Sequence, residues 1–200
     1  MSKELEAARE LVRMLEEKER TGMVELSGVS VGEIISANDN RYKVLEHFEN
    51  GTTLIVPMAF MLERVKFDSD GRDYKTSNLR KQIEEKCLPI FEKDFGAENL
   101  VEHEVDLTSV DMQNEFGTCT CKTWPGTFDE VRKYNNLLVN KALKGWWWTC
   151  TPWSTKERGW EYSVTVVTPS GYVDFDSCYS NRGVRPFCIL KSNIFVSKGE

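Results

Sequence analysis

Five of the six tryptophans in this chain lie between positions 146 and 160, three of them consecutive as Trp146-Trp147-Trp148. Neighbouring residues of a strand point to opposite faces, so Trp146 and Trp148 share one face and Trp147 takes the other. A strand with indoles on both faces has to be covered on both, and at least part of the cluster is core. The segments around it keep the same character. Trp146 to Thr151, Tyr162 to Thr168, Tyr172 to Phe175 and Val184 to Leu190 are rich in aromatic and β-branched residues and read as strands. Pro169-Ser170-Gly171 suits a hairpin turn, proline fixing one φ and glycine accepting a positive one.

The upstream chain supplies helices as well as strands. Leu5, Ala8, Val12 and Leu15 recur at helical steps over residues 2–20, with Glu and Arg between them. The stripe spans barely two heptads, and two readings of this 1–22 arm stand: a helix packed on its own domain, or a short coil joining copies of the chain. Val31 to Ser36 and Arg41 to Phe48 form a strand pair across Ala37-Asn38-Asp39-Asn40, and Thr52 to Val56 a third strand. Ser77 to Phe95 reads as one helix interrupted near Pro89. Val101 to Leu107 alternates like an exposed strand, and the stretch from there to Gly126 shows no period. Thr127-Phe128-Asp129-Glu130 has the form of a capping box and opens a helix through Leu137-Leu138.

Charge and cysteine content narrow the function classes. A formal charge of −6 opposes binding to a nucleic-acid duplex, which needs clustered Lys and Arg. No run approaches a membrane span, and the charged first residues lack the apolar stretch of a secretion signal. A cytoplasmic protein, or one carried out of the cell in a particle, is the expectation. Under reducing conditions the six cysteines are expected as buried free thiols. Cys119-Thr-Cys121 misses the usual metal-binding spacing, and neither a metal nor another cofactor is expected.

Gly183-Val184-Arg185-Pro186-Phe187 sets an arginine inside an apolar strand, next to a proline that cannot donate to a ladder. Such an arginine must find partners, and a structural role satisfied by carbonyls or a carboxylate outweighs a ligand role. Taken together, Trp146-Trp147-Trp148-Thr149-Cys150-Thr151-Pro152, Pro169-Ser170-Gly171-Tyr172-Val173 and Gly183-Val184-Arg185-Pro186-Phe187 resemble a family of C-type-lectin-like domains of phages, prophages and Gram-positive gut bacteria. The upstream Tyr42-Lys43-Val44-Leu45 and Ser77-Asn78-Leu79-Arg80 agree with it. The resemblance covers about residues 30–197. It implies an α+β, C-type-lectin-like fold carrying an N-terminal helical arm, related in architecture to retroelement-diversified phage receptor-binding proteins and to formylglycine-generating enzymes.

In such folds the Trp and Gly-Val-Arg-Pro strands are scaffold, here Trp146, Trp147, Trp148, Gly183, Arg185 and Pro186, and the connecting loops make contacts. Those loops hold Trp153, Lys156, Arg158, Trp160, Tyr162, Asp174, Asp176, Tyr179, Asn181 and Arg182. Rigid aromatics with Arg and short polar residues are what contact surfaces favour. For Trp153 and Trp160, burial competes evenly with exposure. Asp174 and Asp176 share a strand face, but two carboxylates are too few for calcium, and solvated acids are expected. The sugar-binding signatures of the calcium-dependent lectins are missing.

Cys178 and Cys188, ten residues apart, do not reproduce the reactive pair of the formylglycine-generating enzymes. His47 and His103 are expected as solvated surface residues, leaving no general base for catalysis. The expectation is therefore a non-enzymatic phage or prophage protein that binds a host or phage protein inside the cell. A virion-borne adhesin for a carbohydrate or other surface receptor is the alternative.

Overall fold

The computed structural model describes residues 3–20 and 22–199. The start of the expected 2–20 helix at Ser2 and its stop at Thr21 lie outside the described residues. The fold is α+β. Its largest sheet follows the order β1 (Met23–Glu25), β15 (Phe195–Lys198), β2 (Ile34–Ala37), β3 (Asn40–Phe48), β4 (Thr52–Pro57), β14 (Phe187–Lys191) and β6 (Leu100–Val101), with β9 (Thr123–Trp124) also paired to β14. A second sheet runs β12 (Val173–Ser177), β11 (Ser163–Val167), β10 (Trp147–Pro152), β13 (Asn181–Val184) and β5 (Leu62–Lys66). A short ribbon pairs β7 (His103–Asp106) with β8 (Thr118–Cys121).

Four α-helices accompany these sheets among the described residues: α1 (Lys3–Arg20), α2 (Asn78–Gln82), α3 (Leu88–Phe95) and α4 (Phe128–Leu138). The capping box that opens α4 is present in full, Thr127 accepting from the Glu130 amide and Glu130 from the Thr127 amide. Between α2 and α3 the chain widens into a π-helical segment, Ile83–Cys87, that ends two residues before Pro89. The expected interruption is a widened turn within a continuing helix, which accommodates a residue lacking an N–H. No described helix is long and apolar enough to cross a membrane.

The apolar stripe of α1 stays open: Leu5, Val12 and Leu15 are exposed, as are Leu11 and Met14 beside them. The helix meets β1 but does not bury this face on its own domain.

The tryptophan strand forms the centre of the second sheet. All six residues of β10 are buried. Trp147 packs near Phe60 and Trp148 edge-on to Phe67, while the Trp148 indole donates to the Val65 carbonyl at 2.8 Å. Removing one such ring costs about 3–5 kcal/mol. Trp146, at the strand mouth, is half-buried with the Arg182 guanidinium 5.3 Å from its ring centre.

The expected strand Val184 to Leu190 is in fact two. β13 ends at Val184 in the five-stranded sheet, and β14 begins at Phe187 in the large one. Pro186 breaks the ladder, and Arg185 at the crossing donates to the carbonyls of Pro57 (2.7 Å) and Leu138 (2.9 Å) while lying 5.5 Å from the Trp147 ring centre. Burial pulls its guanidinium down to about 10, so it stays charged at neutral pH. Gly183 serves closeness rather than flexibility, since a Cβ there would sit 2.7 Å from the Phe60 ring.

Candidate functional site

The loop between β10 and β11 folds back on itself through hydrogen bonds from the Gly159 amide to the Lys156 carbonyl (2.9 Å) and from the Trp160 amide to the Thr155 carbonyl (3.1 Å). Gly159 takes a φ of 84°, which lets the turn close. This sets Trp153 and Trp160 against Phe175 of β12, with ring centres 5.0 and 4.8 Å away, and 6.3 Å from each other. Both indoles are half-buried, between the two readings the sequence left open. Phe175 is drawn to this side by register: it lies opposite Thr165 of β11, while Asp174 and Asp176 oppose Val166 and Val164.

A second aromatic pair follows this cluster in the chain. Tyr162 and Tyr179 have ring centres 6.3 Å apart, tied by the Cys178 amide donating to the Tyr162 carbonyl at 2.7 Å. Tyr179 is 52% exposed, Phe175 38%, and Tyr172 at the β11–β12 turn 65%. β12 is the edge strand of its sheet. Alternating acids on such an edge discourage indiscriminate strand pairing.

Charged groups brace the loop from outside. Arg158 is ion-paired with Asp111, which also accepts from Ser154 (2.5 Å) and Ser109 (2.5 Å). Burial opposes ionisation of Asp111, but these hydrogen bonds and the guanidinium outweigh it and hold the carboxyl at about 2. Lys156 pairs with Glu161 at 3.1 Å. Beneath them Arg72, its side chain only 3% exposed, donates to the Trp160 carbonyl (3.0 Å) and to Glu115 (2.6 Å) and faces the Phe116 ring. A cavity of about 350 Å³ opens here, lined by Asp68, Asp70, Asp73, Glu115 and Glu161 against Arg72 and Lys156, with Phe116 and Tyr162 as its aromatic walls.

The structure thus brings Trp153 and Trp160 together against Phe175, and Tyr162 beside Tyr179, with Lys156 and Arg158 ion-paired in the same loop. Asp176 is not a solvated acid: it pairs with Arg182 and accepts from Ser180 (2.8 Å), because the chain turns back between β12 and β13. Asp174 accepts from the Phe175 amide at 2.9 Å. Asn181 and Arg182 line a different cavity, beside Trp146 and Arg64. Phe175, Arg72 and Glu161 were not singled out from sequence. The alternation of Phe175 with two aspartates was the one available signal, and it does not say which face is open.

Other chemistry is accounted for locally. His47 is not solvated: Nε2 donates to the Val29 carbonyl (2.7 Å), so Nδ1 accepts from Thr53 (2.8 Å) in the neutral ring. His103 stacks on Trp124, with Nε2 3.9 Å from Glu130, in a cleft of about 330 Å³. Glu130 is committed to the Thr127 amide and the Trp124 indole. All six cysteines are buried free thiols, and Cys178 and Cys188 belong to different cores. Among the described residues no three His, Cys, Asp or Glu side chains converge as metal ligands. Compared with known proteins, the chain is matched by no family model, no curated protein and no solved structure.

Proposed function

We propose that this chain is a non-enzymatic binding module of phage or prophage type, built on a C-type-lectin-like scaffold, that recognises a protein partner through the loops between its C-terminal strands. The observation that carries the reading is the run of partly exposed aromatics, Trp153, Trp160, Phe175, Tyr162 and Tyr179, held on a braced loop and an edge strand. Rigid rings of this kind gain contact area at small entropic cost, and the surrounding ion pairs supply a polar rim. The scaffold reading is supported by the pairing of the first and last strands, β1 with β15, and by the second sheet that the intervening chain forms. The full burial of Arg185, Trp147 and Trp148 supports the scaffold role that the resemblance implies for them.

The test is affinity capture on the immobilised protein from host cytosol and from host surface extract in parallel. A Phe175→Ser, Tyr179→Ser variant of unchanged melting behaviour serves as the control, and titration of the captured protein follows. A cytosolic partner bound by the wild type and lost by the variant supports the reading. A partner held equally by both removes the aromatic surface as the site. The exposed apolar stripe of α1 favours a second reading, a virion-associated adhesin whose arm docks on a particle or on further copies. Retention of surface material alone would favour it.

A further inference from the structure

The opposite edge of the five-stranded sheet carries cavities of another character. The larger, about 520 Å³, is lined by β5 and by the helical segment that follows it, with Arg64, Lys66, Lys86, Gln82 and Asn181 around it. A smaller one of about 150 Å³ shares Glu63, Arg64 and Asn181 with it and adds Lys144, Trp146 and Arg182. Together they make a trough along the β5 edge.

Arg64, Lys66, Lys86 and Lys144 are all exposed there, and among the described residues none of the four has an ion pair or side-chain hydrogen bond. The facing acids are few. Glu63 lines both cavities, and Asp68 already accepts from the Ser69 amide at 2.8 Å. A chain of net charge −6 has acids to spare, yet the trough sets these four cations against two carboxylates.

The backbone adds a second, independent observation. Arg64 has a φ of 57°, in the bulge where the β13–β5 register slips opposite Gly183. Glycine would take that conformation with less strain. Keeping arginine there sets a cation on the rim common to both cavities, and strain of this sort gathers at sites of recognition.

We propose that the trough binds an extended acidic segment of a partner protein. Arg64, Lys66, Lys86 and Lys144 pair its carboxylates, and the amides of Gln82 and Asn181, donors and acceptors at once, take its backbone. A single-stranded nucleic acid fits less well. The trough offers no open stacking platform, since Arg182 covers Trp146 and Phe60 packs on Gly183. Past Asp68, which lines both the trough and the acidic cavity, a long phosphate chain meets Asp70 and Asp73.

The residues proposed to bind here are none of those of the aromatic surface, so each fails or stands alone. The test is fluorescence anisotropy with a labelled peptide alternating Glu and Gly, a matched Gln–Gly peptide and a single-stranded oligonucleotide, from low to physiological salt. The wild type should bind the Glu peptide, more weakly as salt rises. Arg64→Gly, Lys86→Gln should weaken it about tenfold, and the charge-matched control Arg132→Gln, Lys191→Gln should not. All these positions are exposed, and melting curves establish that both variants fold. Absence of binding, equal binding of the Gln peptide, tighter binding of the oligonucleotide or no loss in the variant would each overturn the proposal.

Discussion

In the large sheet, polar side chains leaving solvent find partners. Asp94 of α3 accepts from Asn38 (2.6 Å), Asn40 (2.9 Å) and the Tyr42 hydroxyl (2.5 Å), pinning the β2–β3 hairpin to the helix. Glu46 takes both Lys133 and Tyr134 of α4. The centre of the five-stranded sheet is as closely packed but leaves Trp147 Nε1 and Thr165 Oγ1 buried without a hydrogen-bond partner, and its two edges are more open. One leaves aromatic rings partly open, and the other carries four cations with no ion pair among the described residues. The difference separates residues engaged in folding from residues held ready for contact, and substitutions on the two sides should have opposite signatures.

The largest effect is expected where the two sheets meet. Arg185→Ala strips two buried carbonyls of their donor, and a loss of about 3–5 kcal/mol in urea unfolding is expected. Tyr42→Phe removes a hydrogen bond to a buried-side carboxylate and should cost about 2 kcal/mol, with partner binding unchanged. On the other side the sign reverses. Arg64→Gly relieves the left-handed backbone and should stabilise by about 1 kcal/mol while weakening any acidic ligand.

Smaller again is a pH effect on the braced loop. Asp111 has its carboxyl lowered in the folded state, so its contribution is complete above the ordinary carboxylate range, near pH 4, and is lost as pH falls toward about 2. The melting temperature of wild type minus that of Asp111→Asn should shrink across that window. The smallest stability change, within about 0.5 kcal/mol, is expected of Tyr179→Ser, whose effect should fall on binding.

Local chemistry made part of this legible from sequence. The Thr127–Glu130 capping box and the Pro169–Gly171 turn are specified by neighbouring residues, and both ends of β11 and β12 lie within two residues of expectation. Val184 to Leu190 misled because apolar content is the same in either sheet, and only the partners β5 and β4 reveal the switch at Pro186. β1, β8, β9 and β15 were missed because they have four residues or fewer, β5 because it pairs only with β13 far off in sequence, and Asn181 and Arg182, expected in a loop, stand on β13. For the site, residue type pointed to Trp153, Trp160 and Tyr179. The bracing by Arg72 and Asp111 comes from loops some 40 residues or more away, at separations of 88 and 47, which no local pattern encodes.

The central claim is that contact runs over the aromatic edge and leaves the large sheet uninvolved. Hydrogen–deuterium exchange on the captured complex tests it most directly. Protection confined to residues 153–162 and 172–180, with β3 and β4 exchanging as in the free protein, is the expected result. Protection of β3 and β4 with an unchanged 153–162 loop would contradict the account.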